Sequence, residues 1–167
     1  MTKRSERAAA RRSARGRGDD KSLVRFVVGD TQYAFEVSNV EEVVQASEAT
    51  SLPRMGDAVT GVFDHRGRVT PIVALRPRFG LPIDDSRRGS KWILMRTQSG
   101  LVAFVVDRVL DVVGPDEPAG PPPEVGPGAD DRAIRGVVPI DGTLVFVLDE
   151  NRLARAVASL ELPGGIR

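Results

Sequence analysis

Tyr33-Ala34-Phe35-Glu36-Val37-Ser38-Asn39-Val40-Glu41-Glu42-Val43-Val44 recurs 69 positions later as Val102-Ala103-Phe104-Val105-Val106-Asp107-Arg108-Val109-Leu110-Asp111-Val112-Val113, with one Ala, one Phe and four Val in phase. In each copy the alternation of apolar and small or polar residues describes a strand. That strand ends at a residue able to cap a turn, Ser38 or Asp107, and one short turn of helical spacing leads into the next strand. Internal repetition of this kind must be recognised before any strand is assigned, because it says that one supersecondary plan is executed twice.

A second repeat, at an offset of 75, lies outside the first: Val59-Thr60-Gly61-Val62, Gly67-Arg68-Val69 and Ile72-Val73 match Ile134-Arg135-Gly136-Val137, Gly142-Thr143-Leu144 and Val147-Leu148. Both copies read as strand, turn, strand with Gly at two matched places. Alternating runs at residues 23–28 and 32–37 flank Gly29-Asp30-Thr31 as a hairpin, and 92–95 and 101–106 repeat that arrangement around 96–100. Short strands at 59–62, 68–75, 134–138 and 143–148 complete the pattern, with Gly-containing turns between them. One helix is expected near the C-terminus: Leu153, Ala156, Val157 and Leu160 share a face, Asp149 or Asn151 can cap its start, and Pro163-Gly164-Gly165 stops it.

Five short strands per copy are too few for a large sandwich but suit a small closed barrel, which leaves no long exposed edge. The expected fold is therefore mainly β, with two five-stranded SH3-like barrels packed side by side, joined near 82–91 and followed by a C-terminal helix. Units of about 60–70 residues are marginal alone, so the shared interface should supply core that neither has by itself. Phe35 and Phe104, matched by the repeat, are expected at equivalent core positions of the two barrels.

The chain has 167 residues, 24 Lys+Arg, 23 Asp+Glu, one His and no Cys. Disulfides, thiolate metal sites and a Cys nucleophile are thereby excluded, and one imidazole leaves little for a His-rich metal site. The longest apolar run is six residues, 101–106, where a membrane-spanning helix needs about 20. No apolar stretch that could serve as a secretory core follows the Arg-rich N-terminus, so a cytoplasmic location and no direct membrane insertion are expected. Residues 1–22 carry eight cationic and three acidic side chains, net +5, and the remainder is net −4. Such a tail lacks the apolar surface to offset its ordering entropy and is expected to be disordered, with the domain running from 23 to 162. It serves either as a solubilising extension or as an electrostatic contact with nucleic acid or another polyanion.

Little in the sequence points to chemistry. His65, flanked by Asp64 and Arg66, has no nucleophile partner and reads as a solvated turn or binding-surface residue. Asp84-Asp85 and Asp130-Asp131 lack the alternating ligand spacing of a calcium loop, and no Gly-rich phosphate loop follows a strand and opens a helix. Pro121-Pro122-Pro123 reads as a stiff spacer. No catalytic set, metal site or cofactor is expected, and a small β protein of this kind is a binding module rather than an enzyme. A nucleic-acid-binding barrel using the Arg-rich tail is the alternative, against which the acidic domain and its few aromatics weigh; Trp92 and Tyr33 fit a core or rim better than a stacking platform.

Taken together, these residues resemble the CheW family, the coupling proteins of bacterial chemosensory arrays. Residues 23–44 look like the family's opening, with Gly29-Asp30, Tyr33-Ala34 and Val40-Glu41-Glu42-Val43. The stretch Gly61-Val62-Phe63-Asp64-His65-Arg66-Gly67-Arg68-Val69-Thr70-Pro71-Ile72-Val73-Ala74-Leu75-Arg76-Pro77-Arg78-Phe79-Gly80 is similar to its Gly-Val-x-Asn-Leu-Arg-Gly motif and the Pro-Val/Ile-x-Asp-Leu-Arg that follows. Gly100-Leu101, Val106-Asp107-Arg108-Val109 and Pro121-Pro122-Pro123 fall in the same order. The chain departs from the pattern at Asp64-His65, where Asn-Leu is usual, and at Ala74, where Asp is usual, so it reads as a divergent member. The resemblance implies the same two-barrel fold and a non-catalytic adaptor. Its implied partners are the cytoplasmic tip of methyl-accepting chemotaxis receptors and the regulatory domain of a CheA-type histidine kinase, clustered in receptor arrays. It also implies that Val40, Glu42, Val43 and Arg66 contact the receptor.

Overall fold

A computed structural model describes residues 21–51, 59–83, 90–122 and 132–158. Outside them lie most of the basic tail, the centre of the polar join with Asp84-Asp85, Pro123, Asp130-Asp131, and the chain from residue 159, with Leu160 and the Pro163-Gly164-Gly165 stop. Ten strands occupy the described chain: β1 (Leu23–Val28), β2 (Thr31–Glu36), β3 (Val40–Gln45), β4 (Val59–His65), β5 (Arg68–Ala74), β6 (Lys91–Thr97), β7 (Gly100–Val106), β8 (Arg108–Val113), β9 (Ile134–Ile140) and β10 (Thr143–Leu148). Helices are short: α1 (Leu75–Arg78), α2 (Glu150–Leu153) and α3 (Arg155–Ala158).

The strands form two five-stranded sheets, ordered β8-β1-β2-β10-β9 and β3-β6-β7-β5-β4. This is the two-unit, mainly β architecture expected from the repeats, with one difference in how the chain is shared out. The sheets do not divide at 82–91: β3, from before that stretch, pairs with β6 after it, and β8 crosses in the opposite sense to pair with β1. Each sheet therefore uses both halves of the chain, and neither half completes a sheet alone.

Pairing registers repeat with the sequence. Val24↔Phe35 and Arg25↔Ala34 in the first sheet become Ile93↔Phe104 and Leu94↔Ala103 in the second, the same 69-residue step. At the 75-residue step His65↔Arg68 matches Ile140↔Thr143, and the parallel pair Ile72↔Ala103 matches Val147↔Ala34. Each sheet curls shut through the chain that follows β3 or β8: Thr50 bridges Val62, and Gly120 bridges Val137. Gly61 and Gly136, the matched glycines, permit that closure. A Cβ on Gly61 would stand 2.5 Å from the Thr50 carbonyl oxygen, and one on Gly136 would stand 2.8 Å from that of Gly120.

Period-two alternation sends one set of side chains inside each barrel and the other between the barrels. Ala34, Val138, Ile140, Val145 and Val147 fill the first barrel, and Phe63, Ile72, Trp92, Leu94, Leu101 and Ala103 fill the second. The largest apolar cluster lies between them, built on Phe26, Tyr33, Phe35, Val73, Ile93, Met95, Val102 and Phe104 and covered by Leu153 and Val157. Phe35 and Phe104 are thus equivalent in register, but they do not sit in separate cores. Their rings meet across the shared interface at 5.2 Å, tilted by 39°.

Two local expectations are corrected. The strand predicted to run through Leu75 ends at Ala74, and α1 begins there, with Pro77 tolerated because the first turn of a helix does not use its amide. The single C-terminal helix is two short ones, broken at Ala154, whose ψ of −5° tightens the next hydrogen bond to Val157 N–H donating to the Ala154 carbonyl. Asp149 is the cap, accepting from the amides of Asn151 and Arg152, while Asn151 accepts from the Gln98 amide. Among the described residues, no helix is long and apolar enough to cross a membrane.

Candidate functional site

β3 follows a single 3-10 turn, Val37–Asn39, and carries three of the four residues implied by the resemblance. Along it Val40, Glu42 and Val44 are half-buried, whereas Glu41, Val43 and Gln45 are exposed. Val40 packs against the cluster between the barrels, and a bulge separates it from Glu42 in the pairing with β6. Val43 leaves 40% of its surface open, one of the few large apolar residues to do so.

Arg66 comes from the far edge of the same sheet. His65 and Arg68 close β4 and β5 as a pair, so Arg66 and Gly67 form a two-residue hairpin turn with φ of 53° and 83°. Positive φ at both central residues is the arrangement that matches strand twist and favours Asn or Gly. In the equivalent turn of the first barrel the residues are Asp141 (φ 51°) and Gly142 (φ 78°). A non-glycine residue there costs on the order of 1 kcal/mol, and Arg, unlike Asp or Asn, has no short polar group to relieve it locally.

Barrel closure brings this turn to Glu42. Arg66 Nη2 lies 3.3 Å from Glu42 Oε2 and donates to Oε1 at 3.4 Å. The Arg66 side chain is 75% exposed, so this ion pair contributes little to stability, well under about 1 kcal/mol. Its geometry still matters, because it gathers Glu42 and Arg66 on one rim, with Val43 next along β3 on the opposite face of the strand. Val40 is the outlier of the four, a half-buried residue that shapes the start of β3.

Of the two readings the sequence offers for His65, a solvated turn residue or part of a binding surface, the first does not hold. Its side chain is 12% exposed, its ring lies 5.9 Å from Phe63, and Nε2 is 3.5 Å from Glu42 Oε2. The polar replacement of the family's Leu therefore keeps the packing position and turns its nitrogen toward the rim. Period two does put Phe63 and His65 on one side of β4, but the approach of Glu42 depends on barrel closure, which no local pattern reports.

The second departure, Ala74, is buried at the end of β5. Arg76, two residues on, finds its carboxylate elsewhere: Nε donates to Asp107 Oδ1 and Nη2 to Asp107 Oδ2, both at 2.9 Å. Asp107 Oδ2 also accepts from the Gly29 amide at 2.8 Å. One carboxylate thus ties α1, the β1–β2 turn and the β7–β8 junction together. In the first barrel Arg25 makes a similar two-nitrogen contact with Asp111, 2.8 and 2.6 Å, and these hydrogen bonds raise the Arg25 pKa further above its ordinary value. A cleft of about 230 Å³ on that barrel, bordered by Leu23, Glu36, Pro118 and Arg135, is lined by none of the four rim candidates.

Comparison with known proteins bears on what the rim is for. A family model described as CheW-like domain matches residues 22–158. The chemotaxis protein CheW of Thermotoga maritima is 31% identical over 139 residues, 83% of this chain and 91% of that protein. Protein FrzA of Myxococcus xanthus is 34% identical over 119 residues, covering 70% of this chain and 73% of its own length. Among solved structures, the scaffolding protein TtCheW of Thermoanaerobacter tengcongensis superimposes with a TM-score of 0.75 at 25% identity, over 86% of this chain and 98% of that one. The match runs through both five-stranded sheets and the turn that carries Arg66, and the chain belongs to the CheW-like family.

Proposed function

We propose that this chain is a non-catalytic coupling adaptor of a bacterial chemosensory pathway. Its coupling domain, residues 23–162, joins the cytoplasmic tip of a methyl-accepting chemotaxis receptor to the regulatory domain of a CheA-type histidine kinase, in the cytoplasm and at receptor arrays. Family membership and the relatives named for chemotaxis support the adaptor role. No feature of the fold or of the relatives favours the nucleic-acid alternative.

The observation that supports the receptor site is the conformation of Arg66. A residue type poorly suited to a left-handed turn occupies one there, with its guanidinium 75% exposed and joined to Glu42. The fold alone would be better served by Asn, Asp or Gly, which supports a role for the side chain outside the domain. Arg presents a planar fork of donors suited to a partner's carboxylate or carbonyl, and Val43 adds apolar area close by. Glu42 orients the guanidinium, and Val40 fixes the start of the strand that carries Glu42 and Val43.

The experiment is reconstitution of a receptor cytoplasmic fragment with a CheA-type kinase, with and without the purified chain. The chain is expected to co-sediment with both partners and to make kinase autophosphorylation responsive to the receptor. A chain that binds neither partner contradicts the adaptor reading.

A further inference from the structure

The two barrels neutralise equivalent carboxylates in different ways. Asp111 on β8 occupies the place in the first barrel that Glu42 holds in the second, and it pairs with Arg25 on the neighbouring strand, Nη2 to Oδ2 at 2.6 Å. The position equivalent to Arg25 in the second barrel is Leu94, which is paired with Glu42 in the ladder. Glu42 turns instead across the closed edge to the hairpin, where His65 and Arg66 stand in place of Ile140 and Asp141 of the first barrel. This reversal of charge sets the rim of the second barrel apart.

We propose that His65 is a positioning residue for the receptor-docking rim: it holds the Glu42 carboxylate so that Arg66 is presented to an acidic side chain of the partner. The inference rests on the docking function proposed above. His65 is suited to the task because its ring is packed against Phe63, which itself meets Trp92 at 4.6 Å. A nitrogen fixed by packing loses little further freedom when it contacts a carboxylate, whereas Arg66 is long, open to solvent and reaches Glu42 through Nη2 at 3.3 Å. When a partner's carboxylate draws the guanidinium away, His65 remains beside Glu42, with Nε2 3.5 Å from Oε2, and limits how far the carboxylate can swing. With the Arg66 guanidinium 75% exposed beside Glu42, the rim offers a fork of donors to an acidic group.

The test measures binding of the full chain to a soluble receptor cytoplasmic fragment by calorimetry, for wild type, His65→Leu, His65→Gln, Glu42→Gln, Arg66→Ala and the His65→Leu/Glu42→Gln double variant. His65→Leu is expected to weaken binding about three- to ten-fold with no loss of melting temperature, and His65→Gln, which keeps a donor, to recover most of it. In the Glu42→Gln background the same change should add less than about two-fold, because a positioning residue acts through the group it positions. If Arg66→Ala weakens binding while His65→Leu stays within about two-fold of wild type, or if the His65→Leu loss is undiminished beside Glu42→Gln, the proposal is overturned. If wild type does not bind the fragment, the docking reading fails and the positioning role, which rests on it, is overturned with it.

Discussion

Replacing Asp107 by Ala should destabilise the domain more than any other single charge removal on the described surface. The carboxylate is 7% exposed, and its donors include Arg76 Nε and Nη2 at 2.9 Å each and the Gly29 amide at 2.8 Å. Removing one member of a buried ion pair costs about 3–5 kcal/mol, because the other charge stays desolvated. Here the lower end applies, since the Arg76 side chain keeps 15% exposure and also donates to the Pro82 carbonyl at 3.2 Å. Leaving the Gly29 amide unsatisfied adds about 1 kcal/mol, for a loss of about 3–4 kcal/mol. Urea denaturation measures it directly. With a slope of roughly 1.5–2 kcal/mol per molar for a domain of this size, the midpoint should fall by about 2 M at unchanged slope. The companion Asp107→Ala/Arg76→Leu should lose less than the two single changes summed, because the stranded charge is gone. A midpoint shift below about 0.5 M, or strict additivity in the double variant, would refute the picture of Asp107 as the tie between the two sheets.

Other outcomes test the fold at separate points. Gly61→Ala and Gly136→Ala place a Cβ 2.5 and 2.8 Å from a carbonyl oxygen, so each should lower the melting temperature by more than about 4 °C, and wild-type melting of either would contradict barrel closure at that bridge. Phe35→Ala and Phe104→Ala should each cost about 3–5 kcal/mol in chemical denaturation; because the rings touch, the double variant should lose less than the sum. The phenol of Tyr33, the sole tyrosine, has its pKa raised by burial. Absorbance titration should therefore show phenolate forming above its ordinary value of about 10, and the stability that burial of the neutral form contributes should be intact below that pH and lost as pH rises through the folded-state value.

Where local pattern and pairing agree, the sequence is legible: the 69- and 75-residue repeats reappear as identical strand registers, including the bulge after Val40 in β3 and its counterpart in β8. What pattern cannot report is which of two similar partners a strand chooses. Val40–Val44 and Val109–Val113 carry the same apolar spacing, so either sheet would satisfy both. β3–β5 and β8–β10 exchange sheets as blocks, each leaving its hairpin through the short turn after Glu36 or Val106. Nor does pattern report that Phe35 and Phe104 meet across the interface of the two barrels. Closure of the second sheet likewise explains why Glu42 and Arg66, 24 residues apart, could be brought together only by the resemblance, and why His65 passed for a solvated residue. The helix break at Ala154 lies within a sequence of good helix formers, where Leu153, Ala154 and Val157 all pack onto the shared core.

The most direct measurement of the docking account is the affinity of a receptor cytoplasmic fragment for wild type and for Arg66→Gly, with the melting temperature of each. Glycine is at ease at φ 53°, so relief of backbone strain should offset or exceed the loss of the exposed pair with Glu42, and the variant should melt at or above wild type. Its receptor affinity should nevertheless fall ten-fold or more, about 1.4 kcal/mol. Unchanged affinity in that folded variant would contradict the assignment of Arg66 to the docking site.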